Sequence, residues 1–210
     1  MIDNPPTNSF DDVTQVIDFI RDIKNGYSCV RFAEKCADSI LKNVTSDSVF
    51  LLDGDKTITC EDTSGTILGY KTNLYDGNFY TGYQAWKQNN EFEKYSCPDL
   101  NKIDIKFQQH ILDSIQAPAY ILTSGNKEVW EHISHLLNIP CFNGVEMSAE
   151  TKLYITKFLQ DAGLNVIAYG DGMNDYYMLK QADKGFLKTK PNGEVSRSLI
   201  GKDLEGLILV

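Results

Sequence analysis

The sequence predicts an α/β fold built on a mainly parallel sheet. Two observations carry this. In the second half of the chain, apolar strand-like runs alternate with helical patterns across short connections. Three of the strands also end in polar clusters: Asp53/Asp55/Thr57, Thr123/Ser124/Asn126 and Asp171/Asn174/Asp175. Parallel neighbours would bring these clusters to one edge of the sheet, and such sheets bind ligands outside the carboxyl ends of their strands.

The elements follow in order. Residues 9–25 (SFDDVTQVIDFIRDIKN) read as a helix, with Val13, Val16, Ile17, Ile20 and Ile23 on one face and Ser9 or Asp11 as cap. A second amphipathic helix carries Ala33, Cys36, Ala37, Ile40 and Leu41. The first clear strand spans 48–53, where Val49 to Leu52 run into Asp53. Residues 62–115 differ in character and are rich in aromatics, among them Tyr70, Tyr75, Phe79, Tyr80, Tyr83, Trp86, Phe92, Tyr95 and Phe107. These are expected to form the core of a small lid. Within that region CPDLNKIDIKFQQHILDSI (97–115) reads as one helix, with Pro98 in its first turn and Leu100, Ile103, Phe107 and Ile111 as its stripe.

Then PAYILTSGN predicts a strand, NKEVWEHISHLLN a helix and CFNGVEM a short strand. SAETKLYITKFLQDAG predicts a helix with Ser148 as cap, and NVIAYGDGMND a strand ending in acids. DYYMLKQAD predicts a helix and KGFLKTK a strand, and LEGLILV is placed to close the sheet.

Bulk properties narrow the function. The chain has 210 residues and a net charge of −9, which fits one domain with a modest insertion. Sequence-independent nucleic-acid binding runs on Lys and Arg against phosphates, so no nucleic-acid partner is expected. No basic cluster suits a membrane surface, and no run approaches the ~20 apolar residues of a membrane-spanning helix. The N-terminus has neither the basic nor the apolar region of a signal peptide. Five scattered cysteines without a CxxC pair are expected as reduced thiols in a cytoplasmic protein.

Two carboxylates two residues apart, Asp53 and Asp55, have a chemical use. One can attack phosphorus and form an aspartyl-phosphate. The second can protonate the leaving oxygen and then activate water. Crowded carboxylates repel, so a cation or a proton must join them. An all-oxygen set beside substrate phosphate suits Mg²⁺. Lys152, a hydroxyl, and the amides of the Ser124-Gly125-Asn126 turn at a helix start can hold phosphoryl charge. Lys157, further along the same helix, is the alternative ammonium.

The set resembles the haloacid dehalogenase-like superfamily, within it the phosphoserine phosphatase-like group. VFLLDGDKT matches its Asp-x-Asp-x-Thr motif after a strand, YILTSGN its second motif, SAETKLYI its lysine motif, and YGDGMND its GDGxND motif, all in family order over about residues 48–190. The resemblance implies a Rossmann-like doubly wound sheet. It implies a catalytic core of residues 48–61 and 116–210, a small helical C1 cap of residues 62–115, and an N-terminal helical extension of residues 1–47. It implies Asp53 as nucleophile and Asp55 as acid/base. Mg²⁺ would be held by the Asp53 side chain, the Asp55 carbonyl and Asp171. Asp175 would orient Lys152, and Asn174 would lie near the phosphate. Thr57, Ser124, Gly125 and Asn126 complete the expected phosphate site.

Departures from the group bear on the substrate. The group's cap arginine has no counterpart, since no arginine occurs between residues 62 and 115, and Asp62 stands where the group carries glutamate. Asp62 is nonetheless placed to contact a leaving group. The expected activity is hydrolysis of a small phosphomonoester, with a phosphotransferase or mutase, or a non-catalytic binding protein of this fold, as alternatives. Lys56 also gives DKTIT, similar to the phosphorylated motif of P-type ATPases; that frame would make Asp55 the nucleophile, whereas the strand ends at Asp53. The N-terminal helices are placed to pack on the sheet, extend the cap or form a homodimer surface.

Overall fold

The structure, a computed structural model, describes residues 29–70, 82–144 and 146–210. The expected helix 9–25, the aromatics Tyr75, Phe79 and Tyr80, and the side chains of Tyr83 and Trp86 lie outside what is described. Residues 29–43 are helical (α1). The sheet strands are β1 (Ser48–Asp53), β2 (Ala119–Thr123), β3 (Cys141–Asn143), β4 (Asn165–Gly170), β5 (Lys184–Leu187) and β6 (Ile208–Leu209). The helices after β1 are α2 (Thr63–Thr66), α3 (Gly82–Phe92), α4 (Gln109–Leu112), α5 (Lys127–Leu137), α6 (Ala149–Asp161) and α7 (Met173–Gln181).

The six strands pair in the order β3-β2-β1-β4-β5-β6, every pair parallel. This is the doubly wound order expected from the sequence, with its topological reversal at β1. β1 lies between β2 and β4, and Val49 to Leu52 are all buried. Each such side chain contributes about 1.5–3 kcal/mol by leaving water.

The period of two along β1 sets the direction in which Asp53 points. Val49 and Leu51 enter one core with Ala33, Ala37 and Ile40 of α1 and with Ile155 and Leu159 of α6. Phe50 and Leu52 enter the other, with Val129, Trp130 and Ile133 of α5. Asp53 continues the first set. It therefore leaves the strand on the side of α6, the helix that carries Lys152. α1, which lies in the expected N-terminal extension, packs Ala33, Ala37 and Ile40 into this core.

The helices start and stop where their residues require. Ser148 caps α6 by accepting from the Thr151 N–H at 3.3 Å. Asn126 caps α5 by accepting from the Val129 N–H at 3.2 Å. Asn138 ends α5 in the left-handed region, φ 52°.

One element differs from the sequence expectation. Residues 97–115 do not form a single helix. A short 3₁₀ turn, Leu100–Lys102, is followed by extended chain and then by the four residues of α4. Phe107 bridges Thr59 antiparallel, the Cys60 N–H donates to the Lys106 carbonyl at 2.9 Å, and the Gln108 N–H to the Ile58 carbonyl at 2.8 Å. The IDIKF run alternates apolar and polar residues with two isoleucines, so it also suits a strand. Pairing with the chain just after β1 selects that conformation, and ties the two ends of the insertion together. Within residues 62–115, Tyr70 packs edge-on to Phe92 at 5.0 Å and to Tyr95 at 5.3 Å. Tyr70 and Phe92 are buried, in the same core as Phe50, Leu52 and Trp130.

Candidate active site

The centre of the site is Asp53, 8% exposed at the end of β1. Its Oδ1 accepts from the Lys152 ammonium at 2.6 Å, and its Oδ2 from the Thr57 hydroxyl at 2.9 Å. Lys152 is 1% exposed and also donates to Asp175 Oδ1 at 2.7 Å. Asp175 Oδ2 in turn accepts from the N–H groups of Asp171 and Gly172 at 3.1 and 3.2 Å. Asp175 thus anchors the lysine and folds the start of α7 around itself. Lys157 lies elsewhere, 5.9 Å over the Tyr154 ring. Of the two lysines left open in the sequence, Lys152 is the one that meets Asp53.

The loop after β1 makes a tight turn over Gly54–Ile58, with Lys56 at φ 64°. A non-glycine residue there is uncommon and carries strain, a feature that clusters at working sites. The turn presents Asp55, whose Oδ1 accepts from the Thr63 N–H at 2.6 Å. Burial, and next the charge of Asp62, push the Asp55 carboxyl up to about 7. Asp55 is thereby suited to hold a proton near neutrality. Asp62 caps α2, accepting from the Ser64 hydroxyl at 2.5 Å, the Gly65 N–H at 3.3 Å and the Lys56 ammonium at 3.1 Å. Burial alone would raise Asp62, but these donors outweigh it and hold it below the usual carboxylate range.

Charge balance in this pocket is uneven. Burial, then the charges of Asp53 and Asp175, push Asp171 well above its ordinary value. Burial, then Asp53, push Asp175 up to about 6. Burial would lower Lys152, yet Asp175 and Asp53 overcome it and hold the ammonium above its usual range. Carboxylate oxygens of Asp53, Asp171 and Asp175 lie within 4.8 Å of one another. Both oxygens of Asp175 already accept from the protein. So do both oxygens of Asp53, but each carboxylate oxygen has a second acceptor site, and Asp53 with Asp171 makes an oxygen donor set that fits Mg²⁺.

A cavity of about 460 Å³ gathers most of the predicted residues: Asp53, Asp55, Asp62, Ser124, Gly125, Asp171, Asn174 and Asp175 line it. Thr57 and Lys152 sit behind Asp53, off the wall, and Asn126 faces its own helix as cap. Tyr70 and Gln88 close the lid side, and Ser196 and Ser198 come from the C-terminal part of the chain. The Asn89 side-chain amide of α3 reaches the carbonyls of Ser124 and Gly144 at 3.5 and 3.4 Å, linking the lid to the second motif. The nucleophile frame of the P-type motif is not favoured by this geometry, since the lysine bonds Asp53.

Trp130 gives no functional signal in the sequence. It is fully buried, and its indole Nε1 has no hydrogen-bond partner among the described residues. A Cβ at Gly54 would lie 2.5 Å from Trp130 Cζ2, and one at Gly125 would lie 2.2 Å from its Nε1. The indole is therefore the floor on which the loops after β1 and β2 rest, and each glycine is there for close approach. Gly125→Ala is expected to cost about 1–3 kcal/mol through overpacking. Urea unfolding checks this, and adding Trp130→Phe should recover part of the loss by removing the clashing Nε1.

No protein-family model and no curated protein matches the chain. Solved structures show similarity at low identity. A HAD family hydrolase from Salmonella enterica subsp. enterica serovar Typhi is 16% identical, with a TM-score of 0.46, over 77% of this chain and 73% of that one. A phosphoserine phosphatase in its apo form is 13% identical, with a TM-score of 0.41, over 68% and 86%. A protein of unknown function from Bordetella pertussis Tohama I is 14% identical, with a TM-score of 0.48, over 79% and 99%.

Proposed function

We propose that this chain is a haloacid dehalogenase-like phosphatase that hydrolyses a small phosphomonoester through an aspartyl-phosphate on Asp53. The observation that carries the reading is the environment of Asp53. One carboxylate at the edge of a parallel sheet is gripped by Lys152 and Thr57, with a second carboxyl, raised by burial to about 7, two residues away. The four segments singled out in the sequence supply these groups in family order.

The chemistry comes from the residues themselves. A carboxylate oxygen of Asp53 attacks phosphorus as the bond to the leaving oxygen breaks. The Asp55 carboxyl gives its proton to that oxygen. The resulting Asp55 carboxylate then takes a proton from water, which attacks the acyl phosphate and frees Asp53. The Ser124 hydroxyl and the amides of the turn before α5, on the wall of the same cavity, would donate to the peripheral phosphoryl oxygens. Mg²⁺, held by Asp53 and Asp171 with the Asp55 carbonyl, would supply positive charge to the phosphoryl group and relieve the carboxylates.

The test is phosphate release from a panel of phosphomonoesters with Mg²⁺ and with EDTA. Metal-dependent release, blocked by beryllium fluoride, is the expected result. Phosphate passed only to an added acceptor would move the assignment to a phosphotransferase. Release that EDTA leaves intact would overturn the metal assignment.

A further inference from the structure

The site opens beside a second, larger cavity of about 1010 Å³. The two share Lys56, Asp62, Asp171 and Ser196. Lys188, Lys190 and Arg197 also line the larger one. Four cations thus gather at one opening of a chain whose net charge is −9, and three of them come from the stretch after β5.

That stretch is fixed to the catalytic edge by its backbone. The Lys188 N–H donates to the carbonyl of Gly170, the residue before Asp171, at 2.8 Å. The Thr189 N–H donates to the carbonyl of Val210 at 2.7 Å. Reciprocal ends of a tight turn, Lys190 N–H to Glu194 carbonyl and Gly193 N–H to Lys190 carbonyl, close at 2.8 Å each. The Ser198 hydroxyl accepts from the Met173 N–H at 3.1 Å, capping the helix that carries Asn174 and Asp175. Arg197, next to Ser198 and exposed, is therefore held at a set place relative to Asp171.

Three acids, Glu61, Asp62 and Asp171, line the same cavity, one fewer than its four cations. Of these, Asp62 is tied to Lys56. Glu194 pairs with Lys190 at 3.6 Å and does not line the cavity. Arg197 offers a planar fork of donors suited to a carboxylate or phosphate. Like charges collected around a concave space repel one another, and an anion in that space converts the repulsion into attraction.

We propose that this cavity is a subsite for a second anionic group, so that the phosphomonoester turned over at Asp53 carries a carboxylate or a further phosphate on its leaving portion. The proposal rests on the reading of Asp53 as the phosphoryl-transfer centre. It differs from simple steering, in which the same cations would draw in every phosphate dianion alike.

The test uses the full chain with Mg²⁺ and three probes: p-nitrophenyl phosphate, without a second anion; 3-phosphoglycerate, with a carboxylate; and a hexose bisphosphate. The wild type should favour at least one anion-bearing probe in kcat/KM. Arg197→Gln and Lys190→Gln should each lose about tenfold more on that probe than on p-nitrophenyl phosphate, mainly through KM. The responding probe identifies the anion. Equal losses on all three probes would mean steering and would overturn the subsite, as would no loss at all. If no probe is hydrolysed, the phosphatase reading fails separately, and calorimetry with pyrophosphate decides the subsite. Binding weakened about tenfold by Arg197→Gln would support it; equal binding in both proteins, or none, would overturn it.

Discussion

Asp53→Asn is expected to reduce phosphate release by at least about 10⁴-fold, the scale on which enzymes lose a covalent nucleophile. The amide is nearly the same size as the carboxylate, so packing at the end of β1 should survive. It keeps one oxygen for either Thr57 or Lys152, and turns an NH₂ toward the other. The folded protein should therefore remain, with its circular dichroism unchanged and its unfolding midpoint moved only modestly. Burst-phase labelling with radioactive phosphomonoester supplies a second readout. The wild type should trap label as an acid-stable acyl phosphate, and Asp53→Asn should trap none. Near-wild-type turnover in the variant would remove Asp53 from the role of nucleophile. Label on Asp55 in the wild type would revive the P-type frame, against the bonding of Lys152.

Much of this site is legible in the sequence because its parts are local. A strand ending in Asp-x-Asp, a capped helix start at Ser148 and the GDGMND turn each declare themselves within a few residues. Alternation along β1 even fixes the face from which Asp53 emerges. The choice between Lys152 and Lys157 is less legible: five residues place them about 140° apart around a helix, and only the position of β1 says which face is the inner one. The 97–115 segment departs from its expected helix because its apolar residues satisfy two periods at once. The contact that decides between them, Phe107 with Thr59, joins residues far apart in sequence. Trp130 leaves no signal for the same reason. Its role depends on Gly54 and Gly125 meeting over it. Lys188 and Lys190 read as the end of the expected strand KGFLKTK, and Arg197 gives no signal, until the cavity places all three beside Asp171.

Lys152→Met should damage both fold and activity, and the two losses separate by pH. The lysine is the buried cation between Asp53 and Asp175, at 2.6 and 2.7 Å. Methionine approximates its volume and removes its charge. Breaking a buried ion pair from one side costs about 3–5 kcal/mol, because the remaining carboxylates lose their partner. The sign with pH is set by Asp175, whose carboxyl is raised by burial and next by Asp53 from 3.8 to about 6, with Lys152 pulling it back down. A raised carboxyl favours the protonated folded state, so its ionisation costs stability as pH climbs from its unfolded value through its folded one. Without Lys152 that cost grows. In metal-free protein the stability deficit of Lys152→Met should be smallest near pH 4, where Asp175 carries its proton and the wild-type lysine has lost that charged partner. It should widen through pH 6. Asp175→Asn is the informative companion, since its oxygen can still accept from the Asp171 and Gly172 amides while Lys152 keeps Asp53. It should lose less stability than Lys152→Met. A deficit that does not change with pH would show that Lys152 contributes packing alone, and that the charge of the site is balanced by other means.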